Sequence, residues 1–174
     1  MILEGEKIRL RPLEPTDLQR WRTWINDPEI AGFLDRVLPV SAPEHEQFFE
    51  KAVIGNTTAV WYAIELKGTG EFVGNVWLWN MSVRHRHAEL RILIGERAAW
   101  GSGCGAEAIS LLTGYGFKKL GLHKIYSFVM ARNPRALRTF EKCEFASEAL
   151  LVEDVFWEGR FENVHRLFRL NKDA

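Results

Sequence analysis

The sequence predicts one α/β (α+β) domain over residues 1–174, in which helices flank a mixed, mostly antiparallel central sheet. Length and composition support this class, because 174 residues of which 47% are apolar can bury a core without metal or disulfide staples. The order of segments supports it too. A strand and a helix precede three consecutive strands, a long helix, a strand, a short helix and a final hairpin.

The first segments change from strand period to helix period. KIRLRPL places Ile8, Leu10 and Pro12 on one face of a half-buried strand. EPTDLQRWRTWIND then has the spacing of an amphipathic helix. Residues 28–58 contain several prolines, and we expect a helical excursion there with one helical run, roughly 43–53. Such excursions often carry substrate contacts.

The middle of the chain is typical of an antiparallel meander formed by AVWYAIEL, EFVGNVWLWN and AELRILIG. Helical spacing over residues 106–120 predicts a long helix that stops at Gly121. HKIYSFVMA predicts the next strand, and Asn133 followed by Pro134 predicts a short helix that ends near Cys143. The tail predicts a two-stranded hairpin.

Charge and composition exclude several classes of protein. The 23 basic and 23 acidic residues cancel, which disfavours nucleic acid as a partner. Cys104 and Cys143 are too few for a disulfide scaffold. No segment has the apolar character of a signal peptide or a membrane span, so we expect a cytoplasmic protein without a membrane partner.

The segment that predicts chemistry is AELRILIGERAAWGSGCGAEAISLL, a strand and a helix joined by a loop with glycines at 101, 103 and 105. Glycines let the backbone approach a ligand closely, and the helix start attracts anions, so the loop is a candidate pyrophosphate site. An ATP-type P-loop would need a lysine that is absent here. A dinucleotide fold would need the first glycine at the strand end and an acidic residue after the next strand, where Val129 and Met130 stand.

Two segments carry a family resemblance. WGSGCGAEA resembles the Gln/Arg-x-x-Gly-x-Gly/Ala loop of the GNAT superfamily of N-acetyltransferases, with Trp100 in the place of Gln/Arg. The stretch LHKIYSFVMARNPRALRTFEKCEFASEALLVEDVFWEGRFENVHRLFRL is similar to spermidine N-acetyltransferases and their relatives. The order of elements also resembles that fold along the whole chain. The nearest branch is that of the ribosomal-protein alanine and spermidine N-acetyltransferases.

This resemblance implies acetyl-CoA as co-substrate and no metal. It implies that two parallel strands splay apart and that the backbone of one of them pairs with the pantetheine arm as an added strand, as in β-augmentation. The backbone residues are Ile92, Leu93 and Ile94. The pyrophosphate would be held by Trp100, Gly101, Ser102, Gly103, Cys104, Gly105 and Ala106. Asn133 would face the arm near the thioester.

Acyl transfer needs a neutral amine, a stabilised oxyanion and a proton for the leaving thiolate. Glu89 is the candidate base, acting through water, although a strand carboxylate paired with an arginine is an equal alternative. The resemblance implies a backbone N–H near Ile92 or Leu93 for the oxyanion.

The usual general acid is missing. Phe140 stands where the family has a tyrosine, and Ala136 stands where some relatives use a serine. Water could protonate the thiolate, or one of four side chains could replace the tyrosine: Tyr126, Ser127, Cys104 or Cys143.

Other positions give weaker signals. Glu144 replaces a glycine of the family, so the short helix is expected to end differently. His85 and His87, expected on one strand face, lack a third metal ligand. Three tryptophans near turns could line a cleft, although packing in the core or in an interface is the favoured expectation for them: Trp79, Trp100 and Trp157. Acidic residues could attract an amine or simply be solvated: Asp27, Glu29, Asp35, Glu44, Glu46, Glu153, Asp154 and Glu158.

The resulting hypothesis is direct transfer of an acetyl group from acetyl-CoA to a primary amine in a ternary complex. The acceptor is a small polyamine-like or aminoglycoside-like molecule, or a protein N-terminus. The main alternative is a catalytically weak acyl-CoA-binding sensor or regulatory module, and a nicotinamide-dependent oxidoreductase is a third. A homodimer would cover an exposed edge of the sheet.

Overall fold

The computed structural model describes residues 1–34 and 39–172. Its strands are β1 (Leu3–Glu4), β2 (Ile8–Pro12), β3 (Val60–Leu66), β4 (Phe72–Ser82), β5 (His87–Ile94), β6 (Lys124–Met130), β7 (Ala146–Trp157) and β8 (Arg160–Leu170). Its helices are α1 (Leu18–Ile25), α2 (Pro28–Ala31), α3 (Ala42–Phe48), α4 (Cys104–Lys118) and α5 (Pro134–Lys142). No described helix combines the length and the apolar character that crossing a membrane requires.

All eight strands form one sheet in the order β1-β2-β3-β4-β5-β6-β8-β7. Every neighbouring pair is antiparallel except β5 and β6, which are parallel. The predicted mixed, mostly antiparallel sheet is therefore confirmed, as are the meander and the C-terminal hairpin.

The parallel pair is short. His87, Ala88 and Glu89 pair with Lys124, Ile125 and Tyr126, although β5 continues to Ile94 and β6 to Met130. The two strands diverge beyond this seam, which confirms the predicted splay and opens a cleft in the middle of the sheet.

Two apolar layers cover opposite faces of the sheet. One layer joins the sheet to α4 and α5 through aliphatic side chains such as Leu90, Ile109, Leu112 and Ile125. The other joins it to α1, α2 and α3 and is rich in aromatic rings. Full burial of one such aliphatic side chain contributes about 1.5–3 kcal/mol, so both layers are major sources of stability. The cleft lies between these layers.

The N-terminal segments differ from the prediction in two places. Ile8 and Leu10 are buried as expected, but Pro12 is exposed and Leu13 is buried instead. Pro12 ends β2, and the chain then turns into a 3₁₀ turn, so the strand alternation stops there. The described part of the excursion contains two short helices, α2 and α3, where one was expected. The sequence did not predict α2, because a helix of four residues has no periodic signal. The second helix continues from α3 into a π turn that ends at Ile54.

The expected strand placement of the histidines was wrong. His85 lies in the turn between β4 and β5, and His87 begins β5. Their rings nevertheless stack, with centroids 5.9 Å apart and planes 8° from parallel. Among residues 1–34 and 39–172, no group of three His, Cys, Asp or Glu side chains is placed to hold a metal ion.

The end of α5 differs from the expectation that Glu144 would change how this helix ends. Glu144 adopts the left-handed conformation, with φ of 63°, although it is not glycine. Arg169 compensates, because its guanidinium bonds the Glu144 carboxylate and donates to the Cys143 carbonyl at 3.1 Å. The N–H of Phe145 then reaches the Phe140 carbonyl at 3.1 Å. The helix therefore ends as a glycine-terminated helix would.

Candidate active site

A cleft of about 890 Å³ opens where β5 and β6 diverge. Its walls come from β5, the glycine loop, α5 and the segment 29–34, and the final hairpin contributes residues from β7 and β8. Most of the residues that the resemblance assigned to acetyl-CoA line it: Ile92, Leu93, Ile94, Trp100, Gly101, Gly103, Gly105, Ala106 and Asn133. The fold thus brings the strand, the loop and the short helix to one site.

The glycine loop has the backbone that its sequence predicts. Gly101 and Gly103 have φ of 76° and 93°, values that side chains disfavour, and Gly103 is the N-cap of α4. Lys7, which does not line the cleft, stabilises the loop because its ammonium donates to the Ser102 carbonyl at 3.0 Å. The start of α4 and the positive end of its dipole suit a pyrophosphate.

Ser102 and Cys104 lie on the opposite side of this loop from the cleft. The Ser102 hydroxyl lies 2.6 Å from the Ala99 carbonyl and 3.0 Å from the Cys104 sulfur. Cys104, the first residue of α4, is buried in the apolar layer between α4 and the sheet. Their side chains therefore shape the loop and do not line the cleft, whereas Gly101, Gly103 and Gly105 do.

Trp100 connects the loop to β5. Its indole N–H donates to the Ile94 carbonyl at 2.8 Å, and the Arg135 guanidinium lies 3.9 Å from its ring centroid. This tryptophan therefore holds Ile94, the last residue of β5, and its ring binds the Arg135 guanidinium at the cleft wall. A positive charge thus lies near position 100, where the resemblance has Gln or Arg.

A basic face of α5 also lines the cleft and was not predicted. Arg135, Arg138 and Lys142 are three and four residues apart, so they share one side of the helix. Because a helix was predicted to start after Asn133, the spacing of these three residues could have predicted a basic face. Asn133 itself caps this helix, since its side-chain oxygen accepts from the Ala136 N–H at 3.1 Å.

The other half of the cleft is aromatic and acidic. The rings of Trp61 and Trp77 stack at 4.4 Å, and Trp79 stands almost perpendicular to Trp61 at 6.0 Å. Trp79 and Trp100 line the cleft, although core packing was the favoured expectation for them, and Trp157 does not line it. Trp61 and Trp77 look like core residues in the sequence because both lie in β strands. Carboxylates of Glu29 and Asp154 also line the cleft. Asp35 of the predicted acidic group is outside the described residues.

Comparison with known families decides what kind of site this is. Residues 7–146 match the family model described as an acetyltransferase (GNAT) domain. The chain belongs to the GNAT family. It is an acetyl-CoA-dependent N-acetyltransferase that transfers an acetyl group to a primary amine, as the resemblance implied.

Full-length relatives support this membership. A spermidine N(1)-acetyltransferase of Vibrio cholerae is 30% identical over 95% of this chain and 94% of its own length. A probable N-acetyltransferase of Bacillus subtilis, YjcK, is 36% identical over 99% of this chain and 98% of its own. The crystal structure of the Vibrio cholerae spermidine N-acetyltransferase with CoA and spermine superposes with a TM-score of 0.89 at 31% identity, covering 95% of this chain and 96% of that one.

Glu89 of this GNAT chain forms the ion pair that one interpretation of its sequence position expected, and its role as a base stays a prediction. Its side chain is only 5% exposed, and the Arg91 guanidinium donates to it at 2.5 Å. Both residues line the cleft. The carboxylate is therefore ion-paired and also available at the amine half of the site.

Phe140 does not line the cleft. It is 2% exposed, and its ring packs against Phe145 at 5.1 Å. Its benzyl side chain offers no proton to a leaving thiolate. The neighbouring Ala136 lines the cleft but has no hydroxyl.

The four candidate replacements lie in different places. Ser127 lines the cleft. Tyr126 pairs with Glu89 across the parallel seam, and burial, followed by the Glu89 charge, raises the pKa of its phenol. Cys104 and Cys143 are buried outside the cleft lining. Burial raises the pKa of the Cys143 thiol, which donates to the Ala106 carbonyl at 3.3 Å.

Proposed function

We propose that this GNAT enzyme acetylates a small polyamine-like amine by direct transfer from acetyl-CoA in a ternary complex. The observation that carries the proposal is the continuity of one cleft from the glycine loop to a chamber lined by carboxylates and tryptophans. A phosphate-bearing donor and a cationic acceptor can meet inside it without leaving the protein.

The donor half suits acetyl-CoA. Backbone groups of Ile92, Leu93 and Ile94 face the gap between the diverging strands, where the pantetheine arm can add as a strand. The loop from Trp100 to Ala106 offers helix-start amides to the pyrophosphate. Asn133 lines the cleft at the start of α5, and the cations of α5 add attraction for the phosphates.

The acceptor half suits a small cation with methylene segments. Glu29, Glu89 and Asp154 supply negative charge, and the tryptophan walls favour both ammonium groups and methylenes. Asp154 makes no ion pair with any described residue, so its charge is free for a ligand. The Vibrio cholerae relative is named for spermidine, and its crystal structure holds spermine. These relatives favour a polyamine over an aminoglycoside or a protein N-terminus.

In the proposed reaction the Glu89 carboxylate accepts the amine proton through water. The amine attacks the thioester carbonyl, and a backbone N–H at Ile92 or Leu93 stabilises the oxyanion. The C–S bond then breaks, and the thiolate takes a proton from solvent or from Ser127. Direct transfer fits the site, since neither cysteine of the chain lines the cleft as a covalent nucleophile.

Steady-state assays of CoA thiol release test this function. Acetyl-CoA is combined with spermidine, spermine, putrescine, an aminoglycoside and a peptide with a free N-terminus. We expect kcat/KM to be highest for a polyamine, and intersecting lines in double-reciprocal plots for a ternary complex. Preference for the peptide or the aminoglycoside would refute the polyamine assignment, and parallel lines would refute direct transfer.

The sensor alternative has one observation in its favour, the absence of a tyrosine hydroxyl at Phe140. Its signature is acetyl-CoA binding in titration calorimetry together with no thiol release across the whole amine panel. Acetylation of any amine at a rate of about 1 s⁻¹ or more, the lower end for ordinary enzymes, eliminates it.

We also propose that copies of this chain associate through the C-terminal hairpin. β7 is an edge strand, and the hairpin exposes large apolar side chains at Leu150, Val152, Phe156 and Phe161. A spermidine N-acetyltransferase from Vibrio cholerae has a dodecameric structure. Light scattering of the purified protein tests this, and a monomer at micromolar concentration would refute it. The cytoplasmic location stays a prediction.

A further inference from the structure

Arg132 joins three elements beside the acceptor half of the cleft. It lies in the loop between β6 and α5, directly before Asn133. Its guanidinium lies between two aromatic rings, 4.9 Å from the centroid of Phe33 and 5.0 Å from that of Trp157. A planar guanidinium stacks favourably on aromatic faces, so this sandwich has a defined geometry.

Polar contacts fix the same side chain. The Arg132 Nε lies 2.6 Å from Glu162, whose side chain is only 9% exposed, and Nη2 donates to the Gly32 carbonyl. Trp157 also packs on Gly32, where an added Cβ would lie 3.3 Å from the indole. The segment at residues 32 and 33 is thereby attached to the C-terminal hairpin.

That segment is a wall of the cleft. Glu29, Ile30, Phe33 and Leu34 line it, whereas Arg132 itself lies outside the described lining. Arg97, just before the glycine loop, holds the other end of the wall through Asp27 at 2.6 Å and Glu29 at 2.7 Å. A four-residue helix such as α2 is unstable alone, so its position depends on these attachments.

We propose that Arg132 is a positioning residue for acceptor recognition, which rests on the proposed function. By attaching residues 32 and 33 to the hairpin, it sets the position of Phe33 in the cleft wall and with it the width of the acceptor half. Its own charge is paired with Glu162, so it acts through geometry and not by attracting the substrate.

Kinetics of Arg132→Gln and Arg160→Gln test the inference. Arg160 is a matched control, because it also pairs with Glu162, at 3.1 Å, but is 73% exposed and makes neither ring contact nor bond to residues 29–34. We expect Arg132→Gln to raise the KM of the preferred amine about ten- to a hundredfold, as small displacements in a binding site do. The KM of acetyl-CoA should stay within about twofold, and Arg132→Lys should be intermediate, because lysine keeps the charge without the planar stack.

Hydrogen exchange supplies a readout that needs no substrate. Amides of residues 29–34 should exchange faster in Arg132→Gln than in the parent chain and stay unchanged in Arg160→Gln. An unchanged amine KM, or equal rises in both KM values, would overturn the inference. If the parent chain acetylates no amine, the proposed function fails, and the exchange result alone decides whether Arg132 positions the wall.

Discussion

Alanine substitutions at the three loop glycines should separate folding from binding. Gly101 and Gly103 have positive φ, and an added Cβ would meet only open space at Gly101 and the Lys7 ammonium at 3.6 Å from Gly103. Neither substitution therefore causes steric overlap. Each should lower the unfolding free energy by about 1–2 kcal/mol through backbone strain. In a chain of this size that lowers Tm by about 2–4 °C per kcal/mol.

Gly105 should behave in the opposite way. Its φ is not positive, and an added Cβ would make ordinary contacts of 3.7–3.9 Å with Ile94, Ile92 and Thr139. Alanine fits there and favours the helix by up to about 1 kcal/mol, so Tm should not fall. The new methyl group would however occupy the cleft between β5 and α5, and overpacking by about 1–3 kcal/mol corresponds to an acetyl-CoA affinity weaker by about 5- to 150-fold.

Differential scanning calorimetry and titration calorimetry with acetyl-CoA measure the two effects separately. The decisive comparison is Gly105→Ala against Gly103→Ala, since only the first should combine an unchanged or higher Tm with weaker binding. If Gly105→Ala binds acetyl-CoA as tightly as the parent chain, the ligand does not approach the start of α4, and the assignment of the donor half is wrong.

Four further predictions concern the site and its support. Glu89→Gln should lower kcat about a hundredfold with little change in the KM of acetyl-CoA, as expected for loss of a general base and measured by thiol release. Arg138→Gln should raise the KM of acetyl-CoA at low salt, with the difference from the parent chain shrinking at high salt because the contact is electrostatic. Glu144→Gly should be about 1 kcal/mol more stable than Glu144→Ala in urea denaturation, since both lose the Arg169 pair and only glycine relieves the positive φ. Because burial raises the pKa of the Cys143 thiol, its alkylation, followed by mass spectrometry, should accelerate only above the pH at which an exposed cysteine reacts.

The sequence was sufficient for seven of the eight described strands, for the loop and for the Asn133 cap, because these depend on local patterns. The two-residue strand β1 was missed because it is too short to show alternation. The glycines, the alternation in the strands and the Asn133-Pro134 pair each act within a few residues. α2 was missed because its position depends on Arg97 and Arg132, which are distant in sequence. Tertiary contacts of this kind leave no periodic signal.

The same reason explains the errors at single residues. Glu144 was expected to change the end of α5, but Arg169 from β8 offsets its strain. Trp61 and Trp77 have the spacing of buried strand residues, and they are nearly buried, yet they also form a cleft wall. Which face of a buried layer meets a cavity depends on where two strands separate, and no single strand contains that information.

The three-residue seam between β5 and β6 divides the sheet into two plates, β1–β5 and β6–β8. Among the described strands, this seam is the only ladder that joins the two plates, so little backbone pairing holds them together across the cleft. A donor molecule that pairs with the diverging strand would brace the plates against each other. At a concentration one hundred times its Kd it would add about 2.7 kcal/mol to the unfolding free energy, and the fold would be most rigid when loaded.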